Sequence, residues 1–284
     1  MRNGLTTWHF ECPGCGLEVS TLEPVELSSD DRVVNESDRE AGLEALRKSG
    51  FAATFDILRR YVRGGTLLDV GCAHGWFLDA GRDAGFACMG IEPSTRVAAR
   101  AADRGHRVLA GYFPEGLRGE GNFNVVSFND VFEHIPDARR TMIAASDVLA
   151  DGGLLSLAIP SSRGFFYRLS RAFARVGAMG PFDRMWQKHF SSPHLYYFNA
   201  DVLTSLASEA GFEPIYRGHL PSIRVKGLWD RLSYDTLSST WKNAAIYVAV
   251  VAASPVLRLL PSDIDLLVFR KKSGSRTQGD ALPT

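Results

Sequence analysis

Apolar positions along the chain follow two rhythms. From Glu36 to Arg63, Leu43, Leu46, Phe51, Phe55, Leu58 and Val62 recur three to five residues apart, which predicts a helix ended by Gly64-Gly65. Short apolar runs then alternate with helical patterns. TLLDV (66–70), FACMGIE (86–92), HRVLA (106–110), FNVVSFN (123–129) and LLSLAI (154–159) read as buried strands. Between them, helices are expected from Gly75 to Ala84, from a Ser94 cap to about Ala102, and from an Asp137 cap to a stop at Gly152-Gly153. Five buried strands separated by helices predict an α/β fold with a parallel, doubly wound sheet. Residues 161–198 break the rhythm. Asn199 then caps a further helix, and FEPIYRG (212–218) and DIDLLVF (263–269) read as strands. The polar tail from Lys271 to Thr284 is expected to be disordered.

The turn after the first strand carries candidate chemistry. In LLDVGCAHGWF, Gly71 allows a sharp turn after Val70, and Gly75 lets a helix start close to a ligand with its free N–H groups outward. Ligands of doubly wound sheets bind at such carboxyl ends. Asp69, inside the strand, needs a hydrogen-bonding partner and favours a cationic one. Glu92 ends the second strand, where an acid holds a ribose diol. An adenosine-containing ligand is implied. A nicotinamide fingerprint Gly-x-Gly-x-x-Gly is missing, since residues 71–76 read Gly-Cys-Ala-His-Gly-Trp.

DVGCAHG, GIEPS and FNVVSFNDVFEHIPD, in that order, resemble the class I S-adenosylmethionine-dependent methyltransferases. They are most similar to the small-molecule branch that includes the ubiquinone-pathway O-methyltransferases. The resemblance spans about residues 45–270. It implies a Rossmann-like, mostly parallel seven-stranded sheet with an N-terminal helical cap and an inserted lid, and S-adenosyl-L-methionine as cofactor. Asp69, Gly71, Cys72, Ala73 and Gly75 would surround the methionine part. Glu92, followed by Pro93, would bind the ribose hydroxyls. Asn129, Asp130 and Val131 would line the floor. The family's middle loop glycine is Ala73 here. Its adenine-binding acid is replaced by Gly111-Tyr112-Phe113, so Tyr112 and Phe113 would flank the adenine.

Methyl transfer needs a positioned acceptor, a base for hydroxyl or amine acceptors, and exclusion of water. The segment 161–198 is the natural lid. Within KHFSSPHLYYF, His194 is the first candidate base or substrate anchor and His189 the second, with His134 of NDVFEHIPD a third. In ubiquinone-pathway relatives an acid-x-x-acid-His stretch is linked to a divalent metal. Here Glu133 and His134 are read as holding their loop by hydrogen bonds, and no metal is assigned. Arg168, Arg171 and Arg175 fall on one helical face and Phe166, Leu169, Phe173 and Val176 on another. This suits a solvated face, an anionic membrane or a phosphorylated substrate.

Composition narrows the partners. Zero formal net charge argues against a general nucleic-acid binder. The run Ala244 to Val256 is shorter than the roughly 20 residues of a membrane-spanning helix. It reads as a buried helix, with an in-plane membrane helix as the other reading. The acceptor is expected to be a small molecule, lipid-linked or from a glycan pathway. The location is expected to be cytoplasmic, with peripheral membrane contact left open. Four cysteines suit a reducing compartment. Cys12-Pro-Gly-Cys15 is half of a tetrahedral zinc site without a second cysteine pair. Within WHFECPGCGLEVSTLEP it resembles the second half of a zinc ribbon and reads as a degenerate remnant, a truncated start and a site shared between molecules staying open. The organisation expected is an N-terminal segment 1–36, a catalytic domain 37–270 with lid 161–198, and a tail 271–284. The alternatives are a non-catalytic, cofactor- or partner-binding relative and a nicotinamide oxidoreductase.

Overall fold

A computed structural model describes residues 1–25, 36–221 and 259–274, with single positions between 241 and 257; at 36–43, 45 and 46 only the backbone is described. Leu43 and Leu46 side chains, the tail beyond Gly274 and most of the run Ala244 to Val256 lie outside the described residues. Among the described residues, no helix is long and apolar enough to cross a membrane.

The centre is a seven-stranded sheet. Its strands are β4 (Gly65–Val70), β5 (Phe86–Glu92), β6 (Arg107–Ala110), β7 (Phe123–Asn129), β8 (Leu149–Pro160), β10 (Phe212–Leu220) and β11 (Ile264–Lys271), in the order β10-β11-β8-β7-β4-β5-β6. Strands β4 to β8 pair in parallel, while β11 runs antiparallel to both β8 and β10. The expected mostly parallel, Rossmann-like sheet is the observed one. Helices α1 (Glu36–Leu58), α2 (Trp76–Asp83), α3 (Thr95–Asp103), α4 (Ala138–Val148) and α7 (Ala200–Glu209) flank it. Helices on both faces explain why the middle of β7 and β8 is buried without alternation. Two apolar clusters fill the layers: Phe128, Phe132, Met142 and Leu203 on one side, Phe55, Leu58, Phe77 and Leu266 on the other.

The predicted caps form. Ser94 accepts from the Val97 amide, Asp137 from that of Arg140, and Asn199 from those of Asp201 and Val202. One boundary differs. The helix capped by Asp137 ends at Val148, ahead of the glycines, and β8 begins at once with Leu149. Leu149 pairs with Phe123, but the next pair is Leu154 with Val125, so the residues between bulge out. Gly152, at φ +73°, serves that bulge rather than a helix stop.

Residues 161–198, the segment expected to act as a lid, contain α5 (Phe165–Arg175), α6 (Gly180–Met185) and β9 (Tyr196–Tyr197). The N-terminal segment is built into it. Strands β1 (Arg2–Asn3), β2 (His9–Glu11) and β3 (Glu18–Ser20) form a sheet that ends on β9. Leu5 and Trp8 pack with Tyr167, Phe182, Trp186 and Tyr197. The three arginines of α5 do not act as one face. Arg171 turns inward and binds Glu11 and Glu18, because Glu18 is buried and needs a cation, while Arg168 and Arg175 stay exposed.

Candidate active site

Strand order reverses between β4 and β7, so a crevice opens at their carboxyl ends. The glycine turn lies there. Gly71 has φ +69° and Gly75 φ +78°, both in the left-handed region. A β-carbon on Gly71 would stand 2.5 Å from Val131 Cγ2, so the turn after β4 and the loop after β7 fit only with glycine at this point. Gly75 precedes α2 directly, with no side-chain cap on the helix amides.

Glu92 ends β5 next to this turn. One carboxylate oxygen accepts the Ala73 amide at 3.2 Å, and the other accepts the Ser94 amide at 3.0 Å. Two oxygens offer about four acceptor positions, so lone pairs remain for a ligand. Asp69 is buried beneath, and its carboxyl accepts from Asn129 Nδ2 at 2.9 Å. Burial pushes its pKa to about 8, opposed by the Asn129 hydrogen bond, so the carboxyl is mostly protonated at neutral pH in the absence of a cation. Asn129 Nδ2 also donates to Ser127 Oγ, leaving Asn129 Oδ1 buried with no partner. A buried acid and an orphaned amide oxygen side by side suit a cationic ligand group such as an ammonium.

The structure also shows what the sequence reading missed. A cavity of about 150 Å³ at the ends of β7 and β8 is lined by Arg47 and Phe51 of α1, Asn129, Asp130, Leu220 and Ile264. Arg47 stands 3.6 Å from the Asp130 carboxylate, and its charge also acts on Asp69 and Glu133. One arginine on a polar helix carries no sequence signal that it faces a pocket. Asp130 has φ +53°, uncommon for a residue other than glycine, and is held there by its amide donating to Ala158 O at 2.9 Å.

The aromatic pair after β6 divides. Tyr112 is 75% exposed, whereas Phe113 packs edge-on against Phe128. Pro93 is exposed beside Glu92, and Cys72 is buried, with burial pushing its thiol pKa up.

The three candidate histidines sit in different surroundings. His194 is 5% exposed among lid side chains; its Nε2 meets Gln187 Nε2 at 2.8 Å, and burial pushes its pKa down to about 3. His189 is exposed. The His134 side chain is 18% exposed, and burial lowers its pKa. Glu133 lies between His134 and His194, 3.8 Å and 4.0 Å from their Nε2 atoms. It is 1% exposed, neither carboxyl oxygen has a hydrogen-bond partner, and burial raises its pKa well above the usual range. One carboxylate and two imidazoles within 4.8 Å of one another are a donor set able to hold a divalent cation.

The methyltransferase-domain family matches residues 45–216, more than half of the chain. No curated protein matches it. Among solved structures, similarity extends to a chain of the complex between the Haloferax volcanii Trm112 methyltransferase activator and a methyltransferase. The TM-score is 0.58 at 17% identity, over 87% of this chain and 99% of that chain. A SAM-dependent methyltransferase from Thermotoga maritima gives 0.53 at 18%, over 84% of this chain and 95% of that one. Haemonchus contortus phosphoethanolamine N-methyltransferase 2, in complex with S-adenosyl-L-methionine, gives 0.53 at 18%, over 78% of this chain and 52% of that one. At these identities the likeness is one of fold.

Proposed function

Because the chain belongs to the methyltransferase-domain family that its residues 45–216 match, we propose that it moves a methyl group from S-adenosyl-L-methionine to a small-molecule acceptor. The observation that carries the reading is the Glu92 carboxylate, tied to the Ala73 amide of the glycine turn at the sheet's switch point. The run from Asp130 to His134 supports a position near the ubiquinone-pathway O-methyltransferases. A lipid-linked or glycan-pathway acceptor is favoured within the small molecules. What supports this is the outer side of α5, where Leu169, Phe173 and Val176 are exposed beside Arg168 and Arg175. A cytoplasmic protein with peripheral membrane contact fits that reading.

The residues present suit the cofactor. Glu92 would take the ribose hydroxyls, and Asp69 with Asn129 Oδ1 would take the ammonium. Gly71, Cys72, Ala73 and Gly75 would lie against it with bare backbone, with Pro93, Tyr112, Phe113, Asp130 and Val131 around it. When bound, the cofactor supplies an electrophilic methyl group on a sulfonium.

The chain supplies the rest. Leu5 and Trp8 of the N-terminal segment pack on Phe182, Trp186 and Tyr197 of the lid, which would hold it in place and help keep water out. His134 is the base best supported by geometry, since its Nδ1 is committed to the Pro193 carbonyl and Nε2 is left to take the acceptor's proton. His194 is better suited to anchoring the lid, and His189, being exposed, to meeting an incoming acceptor.

Thermal unfolding with S-adenosylmethionine, S-adenosylhomocysteine and NAD tests the reading, on wild type and Glu92→Ala. A ligand at 100 times its dissociation constant adds about 2.7 kcal/mol of stability. A shift with the two adenosyl-sulfur ligands alone, lost in the variant, is expected. Absence of any shift on ligand-free protein would favour the partner-binding alternative. Transfer of labelled methyl groups to organic-soluble rather than water-soluble cell extract is expected of a lipid-linked acceptor.

A further inference from the structure

Among the described residues, one cationic side chain lines the cavity at the ends of β7 and β8: Arg47. None of the cofactor contacts named above uses it. Helix α1 places it there. Phe51 packs edge-on against Phe77 of α2 with ring centroids 5.1 Å apart, and Phe55 stacks on the same ring at 4.7 Å. These contacts pin α1 to the helix that follows Gly75. Arg47 lies one turn before Phe51, so the two side chains share a face, and both line the cavity.

Asn129 joins this cavity to the buried acid. It lines the cavity, and its Nδ2 donates to Asp69 at 2.9 Å. Asn129 thus stands between an acid and a guanidinium. Arg47 Nη2 lies 3.6 Å from Asp130 Oδ2, longer than a hydrogen bond. A guanidinium has five N–H donors, so a second carboxylate fits beside Asp130. The Asp130 amide is bonded to Ala158 O, which fixes the residue and makes its carboxylate a counter-charge that keeps Arg47 at the cavity. Phe51, Leu220 and Ile264 give the cavity apolar walls, where a charge-assisted pair is stronger than in water.

The amino-acid end of S-adenosyl-L-methionine carries an ammonium and a carboxylate on one carbon. An acid and a guanidinium on either side of one amide side chain match that pair of charges. We propose, building on the cofactor proposed above, that Arg47 binds the carboxylate of the cofactor's amino-acid end while Asp69 and Asn129 take its ammonium. The planar guanidinium suits a carboxylate through two parallel N–H···O bonds. Helix α1 then forms a wall of the cofactor site, and the site selects a complete amino-acid end over adenosine thioethers that lack one.

Calorimetric titration of the full chain tests this with two ligands. One is S-adenosylhomocysteine. The other is its decarboxylated form, S-adenosyl-3-thiopropylamine, which keeps the adenosine and the ammonium and lacks the carboxylate. Arg47→Met keeps the length of the side-chain stem and should lower the affinity for S-adenosylhomocysteine by about 10- to 100-fold, the range of a charge-assisted hydrogen bond. The affinity for the decarboxylated ligand should stay nearly unchanged. Arg47→Lys, a compact charge without the fork, should fall between wild type and Arg47→Met. Equal losses on both ligands, or undiminished affinity for S-adenosylhomocysteine in Arg47→Met, would overturn the proposal, and the second result would leave Arg47 to an anionic acceptor. Wild type that binds neither ligand would remove the cofactor reading as well. Should Arg47→Met fail to fold, wild type decides: it should prefer S-adenosylhomocysteine, and equal affinity for the two ligands would overturn the proposal.

Discussion

His134 donates its Nδ1–H to the carbonyl oxygen of Pro193 at 2.9 Å, which ties the loop after β7 to the lid just ahead of β9. A carbonyl can only accept, so the proton must sit on Nδ1 and the lone pair on Nε2. Burial lowers the imidazole pKa from its usual 6.5, so the ring is neutral and able to act as a base at pH 7. His134→Gln should lower kcat by about 10²–10⁴-fold, the range of general-base catalysis, with the affinity for S-adenosylhomocysteine retained. The acidic limb of the kcat/KM profile should vanish with it. Turnover within a few-fold of wild type would remove His134 from the mechanism and return attention to His194.

Glu92 makes a two-part prediction, because its carboxylate already holds the Ala73 and Ser94 amides. Glu92→Ala should weaken cofactor binding by roughly 1.5–3 kcal/mol per charge-assisted hydrogen bond lost. It should also loosen the glycine turn. Glu92→Gln keeps an acceptor for one amide and should cost less on both counts. Calorimetric titration with S-adenosylhomocysteine reads the binding difference, and equal affinity in all three proteins would sink the ribose assignment.

Much of this frame was legible because it rests on local rules. Ser94, Asp137 and Asn199 are short polar residues directly ahead of apolar periodicity, and each caps its helix. The runs 86–92 and 123–129 are strands to the residue, since their middles, Met89 to Ile91 and Val125 to Phe128, are buried on both faces of the sheet. Long-range contacts were not legible. The N-terminal strands have two or three residues each, too few for periodicity, and their pairing with Tyr196–Tyr197 spans most of the chain. Arg171 looked like part of a basic face because spacing cannot show a buried acid arriving from residue 18. Arg47 was silent for the same reason, its role being set by the loop at Asp130.

Asp69 gives the stability of the ligand-free protein a pH slope. Its pKa rises from an ordinary 3.8 to about 8 in the folded chain, chiefly through burial. The folded state thus binds more protons than the unfolded one across this window. The carboxyl's favourable contribution is complete below about pH 4 and is lost as pH rises through 8. Asp69→Asn should flatten denaturation midpoints between those limits. A cationic ligand should favour the ionised form, so binding near pH 7 should release a proton, seen as an enthalpy that varies with the buffer's ionisation heat. A flat wild-type profile with no proton release would mean that Asp69 is already ionised in the free protein.

Arg171 should report on how the N-terminal sheet holds the lid. Its guanidinium donates to Glu18 Oε1 at 2.6 Å and also bonds Glu11, while Tyr167 donates to Glu18 Oε2 at 2.6 Å and His9 completes the set. Glu18 is almost fully buried, so removing the cation leaves a carboxylate with only neutral hydrogen-bonding groups. Arg171→Ala should cost about 3–5 kcal/mol, the range for breaking a buried ion pair. The loss should be local, with proteolysis admitted at the lid and the N-terminal strands together. The cofactor-induced melting shift should persist, because Glu92 and the glycine turn belong to the central sheet. Glu18→Gln with Arg171→Met, which removes both charges, should recover much of the stability. A double variant no better than Arg171→Ala would mean that the arginine contributes by packing against the lid rather than by its charge.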